Sequence, residues 1–93
     1  MRLTQYEITA IKEAVYMQDK DALIYIFGSR TDDEARGGDI DILVISDKLI
    51  QRDARIIKEC LYEKIGEQKI DLLIARDDSH PFTRIALKTG VRI

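Results

Sequence analysis

Five residues stand out by type and spacing: Gly28, Ser29, Asp39, Asp41 and Asp71. Asp39 and Asp41 open the run Asp-Ile-Asp-Ile-Leu-Val-Ile, which has the length and apolar content of a strand. Strand residues two apart share a face, with Cα atoms about 6–7 Å from one another. Two ionised carboxylates at that spacing repel by about 2–3 kcal/mol at an effective dielectric near 20. A divalent cation between them relieves the repulsion, and Mg²⁺ prefers carboxylate oxygens together with phosphate and water. Asp71 repeats the pattern of Asp41, since each follows an isoleucine and precedes four apolar residues. Gly28-Ser29 closes another apolar run. Gly28 lets backbone amides approach a ligand with no Cβ in the way, and Ser29 adds a hydroxyl near a helix start, where phosphates settle. Arg30 is placed either to neutralise a triphosphate or to be an ordinary surface charge. Taken singly, an Asp-x-Asp or a Gly-Ser is most often a plain strand end or turn. Together, three acids and a phosphate-holding turn suit nucleotidyl transfer, an in-line displacement clamped by two metal ions.

These residues need elements that bring them together. Thr4 and Glu7 form a T-x-x-E capping box, and Ile8, Ile11 and Val15 recur at helical spacing, so a helix is predicted from Thr4 to about Met17. Ala22 to Phe27 reads as the first strand, ended by Gly28. Ser29 to about Ala35 reads as a helical turn, and Arg36-Gly37-Gly38 as a breaker. Asp39 to Ile45 is the second strand, apolar on both faces past Asp41, as in a layered α/β domain. A long helix capped by Ser46 or Asp47 is predicted to reach Ile65, burying Ile50, Ala54, Ile57, Leu61 and Ile65, with Gly66 as its stop. Lys69 to Ala75 is the third strand. Ser79 caps a last helix to about Lys88, and Val91 to Ile93 adds a short edge strand. The order α-β-α-β-α-β-α makes an α/β (mixed α+β) fold, a small mixed sheet flanked by helices. The crossover helix makes the second and third strands parallel, which sets Asp41 and Asp71 at one end of the sheet. Gly28-Ser29 reaches that end if the first strand is antiparallel to the second, the pairing favoured here.

Composition narrows the setting. The 93 residues make one domain, and 45% hydrophobic with 34% charged content describes a folded chain. With 15 basic and 17 acidic residues interspersed, a nucleic-acid binder working by bulk electrostatics is disfavoured. Cys60 has no partner for an intrachain disulfide. There is no run resembling a signal peptide or a membrane span, and a cytoplasmic setting is the expectation. Cys60 is expected to pack in the core, His80 to lie exposed in the first turn of the last helix, and the tyrosines at 6, 16, 25 and 62 to pack. Asp32, Asp33 and Glu34 read as a solvated loop face.

The stretch Phe27-Gly28-Ser29, nine residues, Asp39-Ile40-Asp41-Ile42, followed by Ile70-Asp71-Leu72, resembles the nucleotidyltransferase superfamily of the DNA polymerase β type. The length and the ending, Phe82 to Gly90-Val91, resemble its minimal bacterial and archaeal members. That resemblance implies a polymerase β-like fold in which Gly28 and Ser29 hold the nucleotide phosphates, with Arg30 in support. It implies that Asp39 and Asp41 ligate Mg²⁺, two ions in all, and that Asp71 completes the metal site and helps deprotonate the acceptor. It implies ATP as the nucleotide substrate. Minimal members are typically paired with a helical HEPN-type protein, in many pairs a toxic RNase, and act as its antitoxin by transferring AMP to a tyrosine. Two other readings are a contact antitoxin with a vestigial site and transfer to a small molecule such as an aminoglycoside.

Overall fold

The capping box forms as its sequence demands. In the computed structural model, which describes residues 3–28 and 39–93, the Glu7 amide donates to Thr4 Oγ1 at 3.1 Å and the Thr4 amide to Glu7 Oε1 at 2.9 Å. Two orphan amides are thereby satisfied at the start of α1 (Gln5–Tyr16). The chain continues through β1 (Leu23–Phe27), β2 (Ile40–Ile45), a 3₁₀ turn (Gln51–Asp53), α2 (Ala54–Ile65), β3 (Ile70–Ala75), α3 (Pro81–Thr89) and β4 (Val91–Arg92). The helical turn expected over Ser29–Ala35 and the Gly37-Gly38 breaker lie outside the described residues.

The strands form one mixed sheet in the order β3-β2-β1-β4. β1 runs antiparallel to β2 and to β4, and β2 runs parallel to β3. Both pairings expected for the central strands are therefore present, and the edge strand at the chain's end forms. Alternation along β1 and β2 sends Ile24, Ile26, Ile40, Ile42 and Val44 to one face, where they pack with Ile11 and Val15 of α1 and Ile57 and Leu61 of α2. All nine are fully buried. Each such side chain contributes about 1.5–3 kcal/mol of transfer free energy, which makes this layer the main driving force of the fold. α3 lies on the opposite face against β1 and β2, burying Leu43, Thr83 and Ala86. Where β2 and β3 begin, Asp41 is half-buried and Asp71 is exposed. A polar rim is thus left open beside a closed core.

Three local expectations are corrected. Ser46 does not cap the crossover helix. Its hydroxyl accepts from the amides of Lys48 and Leu49 at 3.1 and 2.9 Å and closes a turn instead. The chain then stays extended at Ile50, whose amide donates to Asp53 Oδ2 at 2.8 Å, and α2 proper starts only at Ala54. Ile50 therefore lies outside the buried face and is 53% exposed. Likewise Ser79 does not cap α3. Its amide is held by Asp77, and His80 is the cap, its Nδ1 accepting from the Phe82 amide at 3.1 Å just ahead of Pro81. Tyr6 and Tyr16 are exposed rather than packed, and the Tyr6 hydroxyl donates to the Lys64 carbonyl at 2.7 Å.

At the end of the sheet away from the aspartates, Ser46 Oγ donates to Asp19 Oδ2 at 2.6 Å and the Asp21 amide donates to Asp19 Oδ1 at 3.0 Å. Asp19 is buried, and this pair of donors, the Ser46 hydroxyl first, holds its carboxyl below the ordinary value of 3.8. A carboxylate with a depressed folded value stabilises above its unfolded value, and that stability is lost as pH falls through the folded one. Ser46→Ala is expected to cost about 2–3 kcal/mol at neutral pH, the scale of a buried charge-assisted hydrogen bond. The deficit, read by urea unfolding, should hold above about pH 5 and shrink below about pH 4.

Candidate active site

Asp41 is the centre of the rim. In the antiparallel pair it stands directly opposite Phe27, and in the parallel pair directly beside Asp71. Register partners on adjacent strands put their side chains on one face about 4.8 Å apart, so the two carboxyl groups meet. Burial pushes the Asp41 carboxyl up first, and the charge and hydrogen bond of Asp71 push it further. Asp39 adds a smaller repulsion, and the Lys69 ammonium opposes all three. The rim therefore gathers negative charge that, among the described residues, Lys69 offsets only in part. That is the donor chemistry of a hard divalent cation whose other ligands are phosphate and water.

Gly28 faces this pair. Its φ of +74° lies in the left-handed region, which side chains rarely adopt. A Cβ built there would land on Asp41 Oδ2, with Asp41 Cγ at 3.0 Å. The backbone of the turn thus touches the carboxylate because residue 28 has no side chain. Glycine is required here twice over, for conformation and for close approach.

The structure brings Gly28, Asp41 and Asp71 together. Asp39 lies on the same side of β2, but its Oδ2 stands 3.5 Å from Lys69 Nζ. Among the described residues no three acidic, histidine or cysteine side chains gather tightly enough to hold an ion by themselves. Ser29 and Arg30, expected as phosphate-holding residues, lie outside the described residues. A cavity of about 420 Å³ opens beside Asp71, lined by Phe27, Asp41, Gln51, Lys58, Asp71, Leu72, Leu73 and Phe82. The Phe27 and Phe82 rings meet edge to face at 5.9 Å and 77°, which ties α3 to the end of β1 and walls one side of the cavity.

Three of these lining residues escape a reading by motif. Leu73 was within reach, since its parity puts it on the aspartate face. Gln51 and Lys58 had no such signal. Gln51 Nε2 donates to the Leu72 carbonyl at 2.8 Å and its Oε1 accepts from the Ile74 amide at 2.8 Å. One side-chain amide thereby takes the place of a neighbouring strand along the outer edge of β3, a role visible only once β3 is known to be an edge.

Comparison with known proteins agrees with this arrangement. A family model described as polymerase beta, nucleotidyltransferase, matches residues 9–93. No curated protein matches the chain.

Proposed function

Because the chain belongs to the polymerase beta nucleotidyltransferase family, we propose that it transfers AMP from ATP to a hydroxyl of a helical HEPN-type partner, a tyrosine by family likeness, and so acts as its antitoxin. The observation that carries the reading is the in-register pair Asp41 and Asp71 with side-chain-free Gly28 set against it. The acceptor oxygen attacks the α-phosphorus of ATP, the bond from that phosphorus to the bridging oxygen breaks, and pyrophosphate leaves with the bridging oxygen. Asp71, the more exposed of the pair, orients the acceptor hydroxyl and takes its proton. Asp41 and Asp71 would hold Mg²⁺, joined by Asp39 when it lets go of Lys69. When bound, the metal would neutralise the phosphoryl oxygens and favour ionisation of the hydroxyl. Gly28 lets the turn approach the phosphates, and by the same likeness Ser29 and Arg30 support the triphosphate. Phe82, which lines the cavity, and Ile85, one turn further along α3, are 49% and 61% exposed. Exposed apolar surface that begins at the site suits a macromolecular acceptor.

The test is to incubate the chain with ATP, Mg²⁺ and a helical HEPN-type protein, and to weigh that protein intact. The expected result is gain of one nucleotide mass on a tyrosine, abolished by EDTA. A partner that is neutralised while its mass never changes would move the chain to the contact-antitoxin reading. Transfer to a labelled small-molecule acceptor instead would replace the protein acceptor.

A further inference from the structure

The two sides of Asp41 are different. Gly28 flanks it on the β1 side, while Asp71 stands on the β3 side, where Leu72 and Leu73 also line the cavity. In an in-line displacement the attacking and leaving oxygens stand on opposite sides of the reacting phosphorus. With the triphosphate at the Gly28 turn, as the proposed function has it, the acceptor enters over β3. Its path is asymmetric in charge. Phe82 and Leu73 give the cavity's lining apolar surface, and Lys58 of α2 is the one cation among the described lining residues. The amide of Gln51, which also lines it, is already committed to the edge of β3. Gln51, Lys58 and Leu72 also line a second cavity of about 340 Å³, which Arg55, Glu59 and Tyr62 border. Two cavities that share lining residues fit an extended segment better than a compact molecule.

Lys58 is half-buried, yet it takes part in none of the ion pairs among the described residues. Arg55 pairs with Glu59, Lys64 with Glu13 and Lys69 with Asp39. The cation that acts on Asp41 is Lys69, not Lys58. A half-buried lysine that lines two cavities and is in no ion pair among the described residues is placed to meet a carboxylate from outside. We propose that Lys58 determines acceptor specificity by pairing with an acidic residue next to the receiving hydroxyl, so that the preferred acceptor is a polypeptide segment whose hydroxyl residue is flanked by Asp or Glu. This rests on the nucleotidyl-transfer reading for the location of the hydroxyl, but the charge preference can be measured without turnover.

The experiment uses three peptides with a central tyrosine flanked on both sides by glutamates, glutamines or lysines. Their binding to the full chain is measured by titration with a non-hydrolysable ATP analogue and Mg²⁺ present, and transfer from ATP is measured separately by mass. The wild type is expected to bind the glutamate peptide about five- to tenfold more tightly than the glutamine peptide, the scale of one partly solvated ion pair. Lys58→Ala should erase that difference, and Lys58→Glu should turn it toward the lysine peptide, with circular dichroism confirming an intact fold. Equal binding of all peptides by the wild type, no binding of any, or a preference that survives Lys58→Glu would overturn the proposal. So would a Lys58→Glu effect confined to the affinity for the nucleotide. A charge preference that follows Lys58 while no peptide is ever modified would support the subsite and count against the transferase reading, so the two fail separately.

Discussion

Replacing Asp41 with asparagine is expected to lower nucleotidyl transfer by at least about a thousandfold, roughly 4 kcal/mol of transition-state stabilisation, while making the metal-free protein more stable. The two effects have one cause. Asp41 is half-buried in register with Asp71, and burial together with that neighbour raises its carboxyl above 3.8. A native state that favours the neutral acid is destabilised by the ionised one at neutral pH. The cost is absent at low pH and sets in as pH rises from the unfolded value to the raised folded one. Asparagine removes the charge with little change of shape. Discounted for the solvent that reaches the rim, the gain should be about 1 kcal/mol, or about 4–8 °C in Tm for a domain of this size. It should be measured in EDTA, since a bound cation would favour the wild type by mass action. Loss of transfer with a gain in Tm is the pattern of a site built for a ligand at the expense of the fold. A variant that loses stability would show that Asp41 is a structural residue, and full transfer without the carboxylate would remove it from the chemistry.

Gly28→Ala should be nearly as damaging to transfer and should harm stability as well. Alanine at a φ of +74° costs about 1–2 kcal/mol of backbone strain. Its methyl group would also occupy the place of Asp41 Oδ2, so the carboxylate or the turn must shift. A displacement near 1 Å at a reacting centre costs about a hundredfold in rate. The expected outcome is a fall of at least that size in kcat/KM for ATP, alongside a lower urea midpoint. The contrast with Asp41→Asn is informative because the stability changes have opposite signs. Near-normal transfer in Gly28→Ala would mean that the turn has room to spare and that the close approach is incidental.

Much of this site could be read along the chain. Strand parity put Asp39 and Asp41 on one side, and the crossover helix required β2 and β3 to be parallel. The repeated Ile-Asp then set Asp41 beside Asp71, where the register has them. The capping box at Thr4 and the edge strand at Val91 were legible for the same reason, because each depends on neighbours a few residues away. The misreadings came from polar side chains with more than one available partner. The Ser46 hydroxyl had a helix to cap in the sequence, but in the fold it found a turn and the buried carboxylate of Asp19, 27 residues earlier. His80 took over the cap assigned to Ser79, whose hydroxyl and amide both bond Asp77.

What the sequence determined by itself is the set of chemical groups and the face of each strand on which they stand. Those follow from residue type and from the two-residue repeat of an extended backbone, which are local properties. Tertiary structure alone decided that Asp39 is drawn to Lys69, that Gln51 covers the open side of β3, and that Lys58 and Phe82 line one cavity. None of these has a local signature. They depend on which strand ends up at the edge of the sheet and on how α2 lies against it, and that choice is made by the burial of isoleucines and leucines distant in sequence.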